Sequence, residues 1–286
     1  MIYVIIPVHN RLPLTIKCIL SLRLQKIQEK LNIIVVDDGS VDGTSEYLKK
    51  NFPEVQILKG DGNLFWTGAV CYALDYLLKI RKKDDWVLLA TNDVELESNC
   101  LIEMIRVAKK KKRMALVGAL TLKAEDRDTI VKSGTIVESW FFNKTKHIHE
   151  GLKLSAIKNK NDPIEVDFIT GRCLLHPIEI FLKTGSYCKE ELPHYGADDE
   201  FSIRIKKYGY SNFLCMTSIV YLAPNITHDK REISAKYFLE TLFSIKSSSN
   251  IINKFHLTMK IVPFYAKGTF FVIGVIKSFY IFFKKK

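Results

Sequence analysis

Hydrophobic and polar positions alternate in blocks along the first 120 residues. Residues 2–8 form a short apolar run rich in β-branched side chains, which predicts a buried strand. Apolar residues at helical spacing follow over 14–24. The same sequence of signals then repeats. Strands are predicted at 31–36, 55–58, 86–90 and 114–120. Helices are predicted near 43–50, 67–80 and 101–111. Strands separated by helices at this pitch mean βαβ units and a mostly parallel sheet. From about 123 to 167 the alternation decays into a polar stretch with short strand-like pieces. Two further helices are expected near 177–184 and 199–208, and a strand near 213–222. No internal repeat or Pro/Gly/Ser linker divides the chain.

The segment 261–283 is strongly apolar and aromatic, interrupted by Lys267 and Lys277. Read as one helix, it places Lys260, Lys267, Lys277 and Lys284 on a single stripe. A helix lying in a membrane interface has that pattern. Packing on the rest of the protein and spanning a bilayer are the competing readings.

Composition adds one asymmetry. The 286 residues carry a formal net charge of +12, and the stretch from Thr241 onward holds eight lysines and no acid. The first 240 residues, expected to form the catalytic domain, are therefore close to balanced. Residues 241–286 are expected to be a basic tail on an anionic membrane surface, or buried in a homodimer. Positive charge gathered in an apolar tail argues against nucleic acid as a partner. The six cysteines are scattered without a paired motif and read as reduced thiols. The first residues open directly into a strand and do not read as a signal peptide. The expected location is cytoplasmic, on the inner face of the cell membrane.

Two acidic motifs stand where strands end. Asp37-Asp38-Gly39-Ser40 follows the second strand, and Asn92-Asp93-Val94-Glu95 follows the fourth. In an open parallel sheet, ligands bind beyond the carboxyl ends of strands. Carboxylates gathered there repel one another and any phosphate unless a divalent cation bridges them. The acids therefore suggest a metal with a nucleotide diphosphate. Each motif alone is equally consistent with a turn or a helix cap. Neither a G-x-G-x-x-G nor a G-x-x-x-x-G-K-[ST] phosphate loop occurs, which argues against dinucleotide oxidoreductases and P-loop NTPases.

VIIPVHNR, VVDDGSVDGT, GNLFWTGA, LATNDVEL and HYGADDEFSIR occur in this order. Together they resemble family 2 of the inverting glycosyltransferases with the GT-A fold, most of all bacterial rhamnosyltransferase-like enzymes of polysaccharide synthesis. The resemblance covers roughly residues 2–225. It implies a nucleotide pocket bordered by Pro7, Val8, Asn10 and Arg11, with Asp38 on the uracil or thymine ring. It places Asn63 and Trp66 along the nucleotide and sugar. Asn92 and Asp93 belong to the metal-binding motif, Asn92 standing where the pattern has an acid. Asp93, with Glu95 and His228 as further ligands, would hold Mg2+ or Mn2+. Gly171 and Arg172 would face donor sugar and acceptor. Asp198 would be the general base, with Asp199 its alternative and Glu200 a supporting acid. The implied reaction moves a sugar from a UDP- or dTDP-sugar to a hydroxyl of a glycan or lipid-linked glycan. A polyprenyl-phosphate sugar synthase remains an alternative, as does, more distantly, a binding module without catalysis.

Overall fold

A computed structural model describes residues 1–224 and 235–284. Its elements in chain order begin with β1 (Ile2–Val8), α1 (Leu12–Arg23), β2 (Leu31–Asp37), α2 (Thr44–Asn51) and β3 (Gln56–Lys59). They continue with α3 (Phe65–Ile80), β4 (Trp86–Ala90), β5 (Val94–Leu96), α4 (Cys100–Lys110) and β6 (Ala115–Lys123). Then come β7 (Gly134–Ser139), β8 (Lys144–His147), β9 (Ile164–Val166), β10 (Phe168–Ile169), β11 (Cys173–Pro177), α5 (Glu179–Thr184) and α6 (Ala197–Arg204). The last are β12 (Ser211–Leu222), α7 (Ala235–Phe243), α8 (Ile251–Ile261) and α9 (Lys267–Lys284).

The main sheet runs β3-β2-β1-β4-β11-β6-β12-β5, with β9 paired to β12. Its first four strands are parallel. Alternate residues of each strand feed two cores. Ile2, Val4 and Ile6 of β1 pack with Cys18, Ile19 and Leu22 of α1, and Met104 of α4 joins the same layer. Tyr3 and Ile5 face the other way, toward Ala73 and Leu74 of α3 and Phe201 of α6. A small second sheet, β10-β7-β8, fills the stretch where the alternation decays.

One strand escapes the sequence pattern, and one expectation is corrected. The run Cys173–Pro177 is a fully buried strand, inserted antiparallel between β4 and β6. The apolar C-terminal stretch is not one helix. α8 ends at Ile261, and Val262 and Pro263 are extended. A 3-10 turn over Phe264–Ala266 then leads into α9. Pro263 lacks the N–H that would continue the α8 ladder. Lys260 therefore lies on a different helix from Lys267 and Lys277, and pairs with Glu191 at 3.1 Å. The single stripe of four lysines does not form. Among the described residues no helix is long and apolar enough to cross a membrane.

Both C-terminal helices touch the rest of the protein. Ile261, Val262 and Ala266 form a small core with Phe168, against which Trp140, Leu257 and Phe270 pack. Asn143 donates to the Phe270 carbonyl at 2.9 Å. Several large side chains on the same helices nonetheless stay exposed, among them Ile252, Phe255, Met259 and Ile276. Phe264, in the turn between the helices, is 91% exposed.

Candidate functional site

The ends of β1 and β2 lie side by side, with Val8 opposite Asp37. Pro7 and Val8 are strand residues; the Val8 carbonyl accepts from the Asp38 N–H at 2.8 Å. The chain then turns through Asn10 and Arg11, both with left-handed backbone (φ 59° and 64°). Such a conformation is uncommon outside glycine, so neighbours must hold it. The Asn10 N–H donates to Ser40 Oγ at 2.7 Å, and Asn10 Oδ1 accepts from the Val41 N–H at 2.9 Å. These bonds stitch the turn after β1 to the turn after β2.

The two aspartates after β2 do different things. Asp37 accepts from the Ser40 N–H and from the Ser45 hydroxyl, the turn-and-cap role its spacing allows. Asp38, 5% exposed, reaches across to the loop before α3. Its Oδ1 accepts from the Gly62 N–H at 2.8 Å and its Oδ2 from the Phe65 N–H at 3.1 Å. A Cβ on Gly60 would sit 2.6 Å from Asp38 Oδ1, so that loop needs glycine there. Asn63 is exposed at the loop tip, its N–H bonded to Asp61. Trp66 follows on the first turn of α3.

Asn92 is buried, and its amide donates to Thr15 Oγ1 on α1 at 3.1 Å. An acid at that position would lack this donor bond, which accounts for the amide. Asp93 keeps partial exposure. Its Oδ1 accepts from Thr91 Oγ1 at 2.6 Å, and its Oδ2 lies 3.8 Å from Arg11 Nη1. The structure thus joins Asp93 to the turn after β1. Glu95 is spent elsewhere: it pairs with Arg127 at 3.1 Å, whose guanidinium covers the Tyr221 ring. His228 lies outside the described residues.

Among the described residues no group of three or more metal-binding side chains occurs. Mg2+ and Mn2+ do not require one, since they are often held by one or two carboxylates with phosphate oxygens and water completing the shell. Asp93, loosely paired and half-exposed, fits that donor set.

The second half of the site forms around α6. A Cβ on Gly171 would come within 2.7 Å of the Trp66 ring and 3.7 Å of Asp198 Cβ. The glycine thus lets three segments distant in sequence meet. Asp198 Oδ2 accepts from the Gly171 N–H at 3.1 Å, and its Oδ1 from the Asp199 N–H at 3.1 Å. Thr67 ties α3 to the loop before α6 through the Leu192 and Pro193 carbonyls. Arg172 links two elements: its carbonyl accepts from the Thr91 N–H, and its Nη1 donates to the Lys132 carbonyl at 2.6 Å. Glu200 is turned away from this group. It is buried and held by both arms of Arg204, at 2.8 and 3.0 Å.

Sequence reasoning missed the support beneath these residues. Tyr187 stacks on Phe201 at 4.4 Å and meets Trp66 edge-on at 5.8 Å. Its hydroxyl bonds His176 Nε2 at 2.8 Å. Burial pushes the His176 imidazole down to about 3, so it stays neutral and its Nε2 accepts a hydrogen bond from the Tyr187 hydroxyl. No local pattern around Tyr187 signals this role.

Burial, and then the charge of Asp198, pushes the Asp199 carboxyl up to about 7, while Lys132 pulls it back. A proton affinity raised above its unfolded value favours folding at low pH, and that contribution fades as pH rises through the folded value. Asp199→Asn, which cannot ionise, is therefore expected to melt above the wild type at pH 8, with the difference shrinking toward pH 5. Thermal melts at the two pH values check this; a constant difference would count against it.

Residues 3–176 match the family model for "Glycosyl transferase family 2". No curated protein matches in sequence. Among solved structures, GalNAc-T7 in complex with UDP, GalNAc and Mn2+ is similar with a TM-score of 0.64 at 16% identity. That alignment covers 90% of this chain and 48% of GalNAc-T7, so the chain spans about half of that protein's length. The mannosyltransferase PcManGT from Pyrobaculum calidifontis, in complex with GDP-Man and Mn2+, gives a TM-score of 0.57 at 14% identity. There the alignment covers 97% of this chain and 69% of the other.

Proposed function

Since the chain belongs to glycosyl transferase family 2, we propose that it is a metal-assisted, inverting glycosyltransferase using a UDP- or dTDP-sugar. The acceptor is a hydroxyl of a glycan or lipid-linked glycan in surface polysaccharide synthesis, with a rhamnosyl or hexosyl group transferred. One observation carries this reading. Asp38 holds the loop that delivers Trp66, Trp66 packs against Gly171, and the Gly171 N–H is held by Asp198. This chain of contacts supports reading the turns after β1 and β2 and the start of α6 as two halves of one site.

Each residue then has a task. The turn of Asn10 and Arg11, with the loop that Asp38 fastens, encloses the nucleoside. Asp93 would hold Mg2+ or Mn2+, which when bound offsets negative charge on the leaving diphosphate. Arg11, 3.8 Å from Asp93, adds a second positive charge on the same side. Trp66 and Gly171 shape the sugar position. Asp198, fixed by two backbone N–H donors, takes the proton from the acceptor hydroxyl as that oxygen attacks the anomeric carbon. The bond to the diphosphate breaks on the opposite face, so the configuration inverts. The exposed apolar side chains of α8 and α9, interleaved with lysines, support peripheral contact with an anionic membrane on its cytoplasmic side.

The testing experiment is a thermal-shift panel of UDP, dTDP, GDP, CDP and ADP with and without Mn2+. A ligand that binds only the folded state raises the melting temperature. UDP or dTDP is expected to stabilise the wild type in a metal-dependent way, and Asp93→Ala to lose the metal dependence. Stabilisation by no nucleotide overturns the reading.

A further inference from the structure

Three consecutive aromatic residues, Trp140-Phe141-Phe142, interrupt the polar stretch after β6. They stand at the tip of the β7–β8 hairpin, where Ser139 faces Lys144 across the turn. Their environments differ. Trp140 packs inward, edge-on to Phe168 at 6.0 Å and tilted against Phe270 of α9 at 5.7 Å. Phe141 and Phe142 meet each other edge-on at 5.2 Å and stay in solvent, Phe142 66% exposed. Asn143 closes the turn with a left-handed backbone (φ 46°), its N–H donating to the Trp140 carbonyl at 3.2 Å. The same residue fastens the tip to α9. Its amide donates to the Phe270 carbonyl at 2.9 Å, and its own carbonyl accepts from the Lys277 ammonium. Between those two positions, Gly274 leaves room for the amide, which a Cβ would approach to 3.2 Å.

A second aromatic projection stands beside the first. Val262 and Ala266 are buried in the cluster against which Trp140 and Phe270 pack. Phe264 and Tyr265, between them in the chain, are in solvent, Tyr265 70% exposed. Two projections far apart in sequence thus flank one apolar cluster. Large apolar side chains gathered in water mark a contact surface. Here they sit on turns rather than in a groove, which suits insertion into a soft layer. Charge selects that layer. The chain from Thr241 onward holds eight lysines and no acid, and β8 adds Lys144 and Lys146 against Glu138 of β7. A second copy on this surface would bring two acid-free tails together, and their like charges would repel. An anionic bilayer suits both features. Its headgroups attract lysines, and its interfacial region accepts aromatic rings.

We propose that Phe141 and Phe142 form a second membrane anchor, inserting into an anionic bilayer beside Phe264 and Tyr265. This rests on reading α8 and α9 as a peripheral membrane surface. Two points of insertion fix the tilt of the protein on the bilayer, where one would leave it free to pivot. The test is co-sedimentation of the full chain with phosphatidylcholine vesicles, with and without phosphatidylserine. The wild type is expected to bind the phosphatidylserine vesicles, and less so as salt is added. The double variants Phe141→Ser/Phe142→Ser and Phe264→Ser/Tyr265→Ser should each weaken binding about tenfold or more, with melting temperature and UDP affinity unchanged. Phe141→Trp/Phe142→Trp should keep the wild-type affinity, since indoles suit the interface as well. A serine hairpin variant that binds vesicles like the wild type overturns the proposal. If the turn variant alone then loses binding, the peripheral-membrane reading of α8 and α9 still stands. A wild type that binds neither vesicle overturns that reading and the proposal with it. Equal binding to phosphatidylcholine alone overturns the anionic partner. A hairpin variant that loses self-association in analytical ultracentrifugation, with vesicle binding intact, overturns the proposal in favour of a second copy. Absence of UDP binding in the wild type counts against the glycosyltransferase reading alone.

Discussion

Asp198→Asn is expected to slow sugar transfer by about 10²–10⁴-fold, the usual worth of a general base, while donor binding persists. The asparagine oxygen can still accept the Gly171 N–H, so the cleft should keep its shape. Asp199→Asn is expected to behave differently. Below about pH 7 Asp199 carries a proton, and an amide imitates that form. Asp198 has two backbone donors holding it in contact with Gly171, so it keeps its place when Asp199 is neutral. The Asp199 variant should retain most transfer at pH 6.5. It should also lose whatever change in rate the wild type shows as Asp199 ionises. Single-turnover rates of both variants from pH 6 to 8.5 decide the matter. If Asp199→Asn is as slow as Asp198→Asn, the base is Asp199.

Asp38→Ala is expected to weaken UDP binding by about tenfold or more and to lower the melting temperature. The carboxylate satisfies the Gly62 and Phe65 N–H groups, and each orphaned group costs on the order of 1–3 kcal/mol where water cannot replace it. Phe65 also has a left-handed backbone (φ 53°), which persists only where neighbours enforce it. Releasing it should let α3 lose its first turn and Trp66 its seat beside Gly171. Asp38→Asn should fall between, because one oxygen remains to accept. Calorimetry with UDP and a thermal melt measure both effects. An alanine variant that melts and binds UDP like the wild type would show that Asp38 does not fasten this loop.

The first half of the fold was legible because its strands are buried on both faces and its helices are separated by clear turn residues. β1 and β4 lie within the apolar runs that mark them. β11 was not legible: five residues containing a histidine and ending in proline do not look like the centre of a sheet. The burial of His176 depends on Tyr187, eleven residues later. Pro263 marks the break in the tail, but the apolar residues on either side of it read as one helix. In the site, residue types at strand ends were legible, and their partners were not. The contacts of Asp38 with Phe65 and of Gly171 with Trp66 join segments that no local pattern relates. Asn92 departs from an acidic motif because its amide serves α1.

Gly196 has a left-handed backbone (φ 87°) and opens α6, with Leu257 of α8 pressed against it. The two residues after Gly196 include the carboxylate that would take the proton. α8 also shares a small apolar cluster with Ile203 of α6, so a displacement of α8 is passed on to the helix that carries Asp198. Trimming the C-terminal helices would not remove a detachable handle but would take away the backing of α6. A partner that pressed on those helices would therefore bear on α6 itself.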